Sequence, residues 1–191
     1  MRRAGFVLVG GKSSRMGRDK ALLPYRERTL AEAVATVLAT SAVPVSLIGD
    51  PAKYSQLGFP VYPDLHPGLG PLSGLQTALT LQIAEWNLVI ACDLPHISAC
   101  ILTQLWNVTA SANPDQGCVV PITADGRLQP LCAVYHASCL SRINEAISSK
   151  RLKMMDLLTR LNCLTVPQPD SAAFLSANTP QDWAALQSVP A

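Results

Sequence analysis

The chain has 191 residues, 49% hydrophobic and 15% charged, with a formal net charge of +2 from 15 basic and 13 acidic side chains. That composition excludes an intrinsically disordered chain, which needs low hydrophobicity and high charge, and a highly charged coiled coil. It offers no basic excess for nucleic acid, so whatever binds here must be held by local charge.

At roughly 100–200 residues per domain, this length predicts one domain over residues 1–191. Short β-rich runs, Gly/Pro loops and helical segments alternate, the pattern of an α/β fold with a mostly parallel central sheet flanked by helices. Residues 5–9 are the first predicted strand, and Gly10, Gly11 and Gly17 lie in the loop behind it. Thr29 and Glu32 form a capping box, after which Leu30, Val34, Val37 and Leu38 recur at helical spacing. Residues 43–48 read as the next strand. After Val61-Tyr62 a long loop runs through Asp64, Pro67, Gly68 and Gly70. Ser73 with Gln76 reads as a second capping box, opening a helix to about residue 83. Residues 87–92 are apolar and read as a strand buried on both faces, ending at Asp93. A helix is predicted over 98–110. Strands are expected at 117–122 and 130–135, joined through Asp125-Gly126 and so antiparallel. Helices at 138–149 and 153–161 precede an edge strand at 162–166. Thr179-Pro180 with Asp182 is a helix start.

The apolar run behind Met1-Arg2-Arg3 is too short for a signal-peptide core, and no stretch approaches the ~20 apolar residues of a membrane span. Six cysteines show neither Cys-x-x-Cys nor zinc-finger spacing, which predicts reduced, mostly buried thiols in a cytoplasmic protein.

The densest chemical signal follows the first strand: Leu8-Val9-Gly10-Gly11-Lys12-Ser13-Ser14-Arg15-Met16-Gly17-Arg18-Asp19-Lys20. Ligands of open α/β sheets sit outside the carboxyl ends of strands, glycines let backbone N–H groups approach phosphates, and Arg15, Arg18 and Lys20 add positive charge. A P-loop is excluded, because Gly11 and Gly17 are one residue too far apart and Arg18 follows. The dinucleotide fingerprint fails as well, because Gly10 and Gly11 are adjacent. A solvated basic turn has the same composition. Asp93, at the end of a buried strand, suits a hard cation that takes one or two carboxylates plus substrate phosphates; a cap on the Leu94-Pro95 turn is the plainer reading. Asp64 and the glycines running to Gly74 form either a nucleotide-covering loop or a plain connection. Ser176 to Asp182 needs no function as a helix cap. His66, His96 and His136 are not spaced as ligands, and no cysteine or Gly-x-Ser-x-Gly elbow offers a nucleophile.

Taken together, Leu8 to Lys20, Gly70-Pro71-Leu72-Ser73-Gly74, Cys92-Asp93-Leu94-Pro95 and Asn178-Thr179-Pro180-Gln181-Asp182 resemble, in order and spacing, the motifs of the molybdenum cofactor guanylyltransferases. The resemblance implies a single-domain, Rossmann-like fold of the nucleotide-diphospho-sugar transferase type. It implies transfer of GMP from GTP to the phosphate of molybdopterin or its molybdenum-loaded form, with release of pyrophosphate. By position, Leu8, Val9, Gly10, Gly11, Lys20, Asp64 and Asp93 would contact the nucleotide, Asp93 would hold Mg²⁺, and Asn178 would lie on the pterin side. Arg15, Lys20 and Asp93 would be catalytic. Implied partners are GTP and molybdopterin, with molybdoenzyme-maturation proteins as candidates; neither nucleic acid nor membrane is implied. A sister family that transfers CMP tends to carry Thr-Ala-Ala-Gly where this chain has Leu8-Val9-Gly10-Gly11, and lacks the Pro-Leu-x-Gly seen at Pro71 to Gly74; both favour guanine. Departures from the family pattern are Val9 for the usual Ala, Ser176 for a first Asn, and Gly49-Asp50 where Asn is frequent. Two other readings compete: another nucleotidyltransferase, and a non-catalytic pterin carrier, which would need neither Lys20 nor Asp93.

Overall fold

A computed structural model describes residues 1–10, 18–41, 43–113, 115–176 and 180–187. The first strand, β1 (Arg3–Leu8), becomes the middle of a parallel block. A two-residue-per-strand hairpin, β2 (Pro24–Tyr25) and β3 (Arg28–Thr29), leads into α1 (Leu30–Ala39). Thr29 caps that helix as the spacing predicts: its hydroxyl accepts from the Glu32 N–H at 3.3 Å, and the Glu32 carboxylate accepts from the Thr29 N–H at 2.7 Å. The Thr29 hydroxyl also donates to the Glu32 carboxylate at 2.7 Å, and this bond first, then that from the Thr29 N–H, holds the Glu32 carboxyl below its ordinary pKa. The chain continues through β4 (Val45–Ile48), α2 (Pro51–Tyr54), β5 (Val61–Tyr62), α3 (Pro71–Thr80), β6 (Trp86–Ala91) and α4 (Ala99–Thr109). It then forms β7 (Cys118–Thr123), β8 (Cys132–His136), α5 (Leu140–Ser148), α6 (Met154–Leu158), β9 (Cys163–Gln168) and α7 (Pro180–Gln187).

The main sheet has seven strands in the order β5-β4-β1-β6-β8-β7-β9, and only β8 runs against its neighbours. Side chains alternate across it. Val7 and Val9 face one half of the core with α1 and α4, whereas Ala4 and Phe6 face the other half with α3, α5 and α6. Each face is therefore apolar and each needs a helical cover, as expected of parallel strands. No described helix is long and apolar enough to cross a membrane.

Register decides where a ligand can sit. Leu8 at the end of β1 pairs with Ile48 of β4 on one side and Ala91 of β6 on the other, and Ile48 pairs with Tyr62 of β5. Four strands thus end in one row, and the residues that follow them leave the sheet side by side. The chain adds β4 on one side of β1 and β6 on the other, so a crevice opens where the winding reverses.

Three expectations are corrected. Ser73 is not an N-cap: Gly70 and Pro71 start α3 earlier, no side chain caps it, and the Ser73 hydroxyl donates to Asp64 instead. The helix also stops at Thr80, short of residue 83. The cysteines are not all reduced. Cys118 and Cys163 face each other in register on β7 and β9, with Cα atoms 4.8 Å apart, and form a disulfide; their separation of 45 residues hides this in the sequence. Cys92, Cys132 and Cys139 are buried free thiols, and Cys100 is exposed.

Candidate active site

The crevice above the strand row is a cleft of about 670 Å³. Its floor and walls are the strand ends and the segments that leave them: Leu8 at the end of β1 with Val9 and Gly10 behind it, Gly49, Asp50, Pro51, Lys53 and Tyr54 after β4, Pro63 and Asp64 after β5, and Cys92 and Asp93 after β6. Leu131, beside the start of the reversed strand β8, also borders it; its carbonyl accepts from the Ala91 N–H at 2.9 Å. Two glycines permit this convergence. A Cβ on Gly49 would collide with the Val9 carbonyl and come within 2.8 Å of its side chain, so only glycine lets the loops after β1 and β4 touch. A Cβ on Gly74 would stand 2.9 Å from the Leu8 side chain, so glycine brings the first turn of α3 onto the end of β1.

The charged centre of the cleft is a pair. Lys20 Nζ lies 3.7 Å from Asp93 Oδ2, and the side chains are 16% and 22% exposed. Burial raises the proton affinity of the Asp93 carboxyl, and the Lys20 ammonium opposes the shift without cancelling it. Asp93 is therefore a carboxylate whose charge the protein leaves under-compensated. Among the described residues no three His, Cys, Asp or Glu side chains gather as a ready metal cage. One carboxylate of this kind in a cleft large enough for a nucleotide fits an ion that keeps waters and takes its remaining ligands from a substrate.

Asp64 faces the cleft but is tied down. Its Oδ1 accepts from the Ser73 hydroxyl, from the His66 N–H at 3.1 Å and from the Thr77 hydroxyl at 3.4 Å. The Leu65 N–H donates to Thr77 Oγ1 at 3.0 Å. These bonds fasten the Asp64 loop to α3, whose first residue, Pro71, lines the cleft. Cys92 adjoins Asp93, but burial and the neighbouring Asp93 and Asp19 carboxylates push its thiol pKa up, so it is no nucleophile.

Of the residues singled out in the sequence, Leu8, Val9, Gly10, Lys20, Asp64 and Asp93 meet at this cleft. Gly11, Arg15 and Asn178 lie outside the described residues. Gly49 and Asp50, which the resemblance marks as departures from the family pattern, line the cleft, whereas Pro51, Lys53 and Tyr54 carry no signal in the sequence, although the rule for loops after strands applies to the loop after β4 as it does to the loop after β1. Asp19 was noticed only as part of a motif. Its carboxylate accepts from the Ala21 N–H at 3.1 Å and from the Tyr54 hydroxyl at 2.7 Å, 35 residues away.

Such a site gathers fixed positive charge, a metal-competent carboxylate and room for a nucleotide, and among the described residues it shows no evident general base or nucleophile. That suits displacement at phosphorus between two anionic substrates, where positioning and charge compensation carry the rate.

Residues 5–164 match the model of the MobA-like NTP transferase domain. A probable molybdenum cofactor guanylyltransferase of Halalkalibacterium halodurans is 34% identical over 190 residues, covering 94% of this chain and 95% of that one. A protein of the same description from Bacillus subtilis is 31% identical over 194 residues, covering 98% and 96%. Among solved structures, molybdopterin-guanine dinucleotide biosynthesis protein A from Archaeoglobus fulgidus superposes with a TM-score of 0.78 at 24% identity, over 96% of each chain. A Mycobacterium tuberculosis protein solved as a manganese complex superposes with a TM-score of 0.70 at 19% identity, over 98% of each chain.

Proposed function

The chain belongs to the family of MobA-like NTP transferase domains, and from that premise we propose that it transfers GMP from GTP to the terminal phosphate of molybdopterin. It is a nucleotidyltransferase of molybdenum cofactor biosynthesis. Nucleotidyl transfer at this cleft is supported above all by one observation, the Lys20–Asp93 pair, 3.7 Å apart, beyond the row of strand ends. Residues 1–191 then act as one nucleotidyltransferase domain, in the cytoplasm where GTP is available.

A terminal phosphate oxygen of molybdopterin attacks the α-phosphorus of GTP. The new bond joins that oxygen to phosphorus, the bond to the β-phosphate oxygen breaks, and pyrophosphate departs with the electron pair. The attacking oxygen is already anionic near neutral pH, so no side chain has to remove a proton. This agrees with a cleft whose one thiol is held protonated. Lys20 compensates negative charge gathering on the leaving group, and Gly10 admits the phosphates close to the backbone. Asp64 holds its loop against α3 and so shapes the nucleotide side. Asp93 is the residue that would hold Mg²⁺. Held there, it would supply charge neutralisation at the α-phosphate. Gly11 and Arg15 join the nucleotide-binding and charge-compensating group in this reading. Asn178 is placed on the pterin side, with indirect support: α7 docks through Trp183 on Tyr25 at 6.1 Å, and Tyr25 meets His96, which follows Asp93 closely in the chain.

The test is pyrophosphate release with Mg²⁺ and molybdopterin, comparing GTP, CTP and ATP. Release with GTP alone supports guanylyl transfer. A preference for CTP would retain the chemistry and reverse the base assignment. Silence with every nucleotide, from folded protein and active cofactor, would bring the carrier reading forward.

A further inference from the structure

Lys20 is the cation on which the proposed chemistry depends, and its place is set by groups other than Asp93. It opens a single 3-10 turn, Lys20–Leu22, which is too short to be stable on its own backbone bonds. Asp19 caps that turn: its Oδ1 accepts from the Ala21 N–H at 3.1 Å, and its carbonyl accepts from the Leu22 N–H at 3.2 Å. The other carboxylate oxygen, Oδ2, accepts from the Tyr54 hydroxyl at 2.7 Å. Tyr54 ends α2 and is 1% exposed. Asp50 caps α2 from the rim of the same cleft, accepting from the Ala52 N–H at 3.0 Å. The ring of Tyr54 is wedged under Gly49, and its hydroxyl reaches beneath Gly10, where an added Cβ would lie 3.8 Å away. One hydroxyl therefore bonds the cap of the Lys20 turn and lies beside Gly10, while its own helix follows β4.

We infer that Tyr54, acting through Asp19, is a positioning residue that holds the Lys20 turn at the phosphate side of the cleft. A connected path runs from α2 through Tyr54 Oη, Asp19 Oδ2, Asp19 Oδ1 and the Ala21 N–H to the turn that carries Lys20. A hydrogen bond to a charged carboxylate is among the stronger ones, and this one is part-buried, so the path is stiff. Burial, and after it the Asp19 carboxylate, raise the Tyr54 pKa, which keeps the hydroxyl a donor throughout the working range. The wall formed by α2 and the cation opposite are thereby mechanically joined. The inference rests on the proposed function for its catalytic consequence, but not for its structural one.

The experiment compares Tyr54→Phe, Asp19→Asn and the double variant in two ways. Asn keeps an acceptor for the Ala21 N–H while removing the charge that Tyr54 contacts. The first readout is the rate at which an amine-acylating reagent labels Lys20, read by mass spectrometry, with Lys150, an exposed lysine on a distant turn, as control. Tyr54→Phe and Asp19→Asn should each raise labelling of Lys20 at least about threefold and leave Lys150 unchanged. The second readout is steady-state GTP turnover. Tyr54→Phe should lower kcat about ten- to a hundredfold with KM for GTP changed less than about threefold, and should cost nothing further in the Asp19→Asn background. Unchanged Lys20 labelling in both single variants overturns the inference, and so do additive losses in the double variant. If the unmodified protein released no pyrophosphate, the proposed function would fall, and the labelling would still decide the positioning role. If Tyr54→Phe failed to fold, Asp19→Asn alone carries the same two readouts.

Discussion

At the scale of single residues, the cleft places function in tension with stability. Asp93 is a largely buried carboxylate whose charged form is disfavoured by desolvation more than Lys20 favours it. Its folded pKa lies above its unfolded one. By linkage it adds stability only in acid, below the unfolded value, and that contribution is gone once pH rises through the folded value. Asn imitates the neutral form, so Asp93→Asn should raise the melting temperature of the ligand-free protein at pH 7.5 while lowering turnover by at least about a hundredfold at ordinary Mg²⁺. Calorimetry and the pyrophosphate assay on one preparation check both halves. Gly49 makes the opposite case. A single added methyl would meet the Val9 carbonyl and the Tyr54 ring. Gly49→Ala should cost about 1–3 kcal/mol in urea unfolding, because overpacked cores must shift, and should weaken nucleotide binding with it.

At the scale of elements, local signals were legible and distant partnerships were not. The Thr29–Glu32 box is written in four consecutive residues and stands in the structure as the sequence spells it. Thr29→Ala should therefore lower stability by about 1 kcal/mol, seen as a lower urea midpoint at unchanged slope. The Ser73–Gln76 pattern is as good a box in sequence, yet both side chains are engaged elsewhere: Ser73 with Asp64, and Gln76 with Asn144 at 2.8 Å. Gly70, with φ +83°, and Pro71 had already begun the helix. The strands at β1, β6, β7 and β8 were readable because burial on one or both faces leaves a plain apolar pattern. The Cys118–Cys163 bridge and the Tyr54–Asp19 bond are not, because the first is made by register between β7 and β9 and the second joins the end of α2 to a turn 35 residues away. The site divides in the same way. Asp64 and Asp93 announce themselves as polar residues just past strands and Lys20 as the end of a glycine-rich basic motif, whereas Tyr54 is an aromatic on a four-residue helix with no pattern of its own.

At the scale of the whole molecule, two histidines set the response to mild acid. Burial lowers the pKa of His96, and the Arg26 charge lowers it further, against a smaller opposing pull from Asp170. Burial also lowers the pKa of His136, opposed by Glu85. Both stay neutral in the fold at pH values where the unfolded chain has begun to protonate. Their contribution is present in full above the unfolded value near 6.5 and diminishes as pH falls through the lower folded values. The urea midpoint should fall between pH 7.5 and 5.5, and the fall should be shallower in His96→Gln.

Four parallel strands that end in one row also divide the chain into parts with different freedom to change. Inside the row Leu8 and Ile48 are each held by a partner on both sides, so a shift at Leu8 would have to be matched at Ile48 and Ala91 together. Beyond the row each loop answers chiefly to the cleft. Lineages descended from such a chain would be free to lengthen one loop at a time and explore new acceptors and bases, while inheriting the frame unaltered.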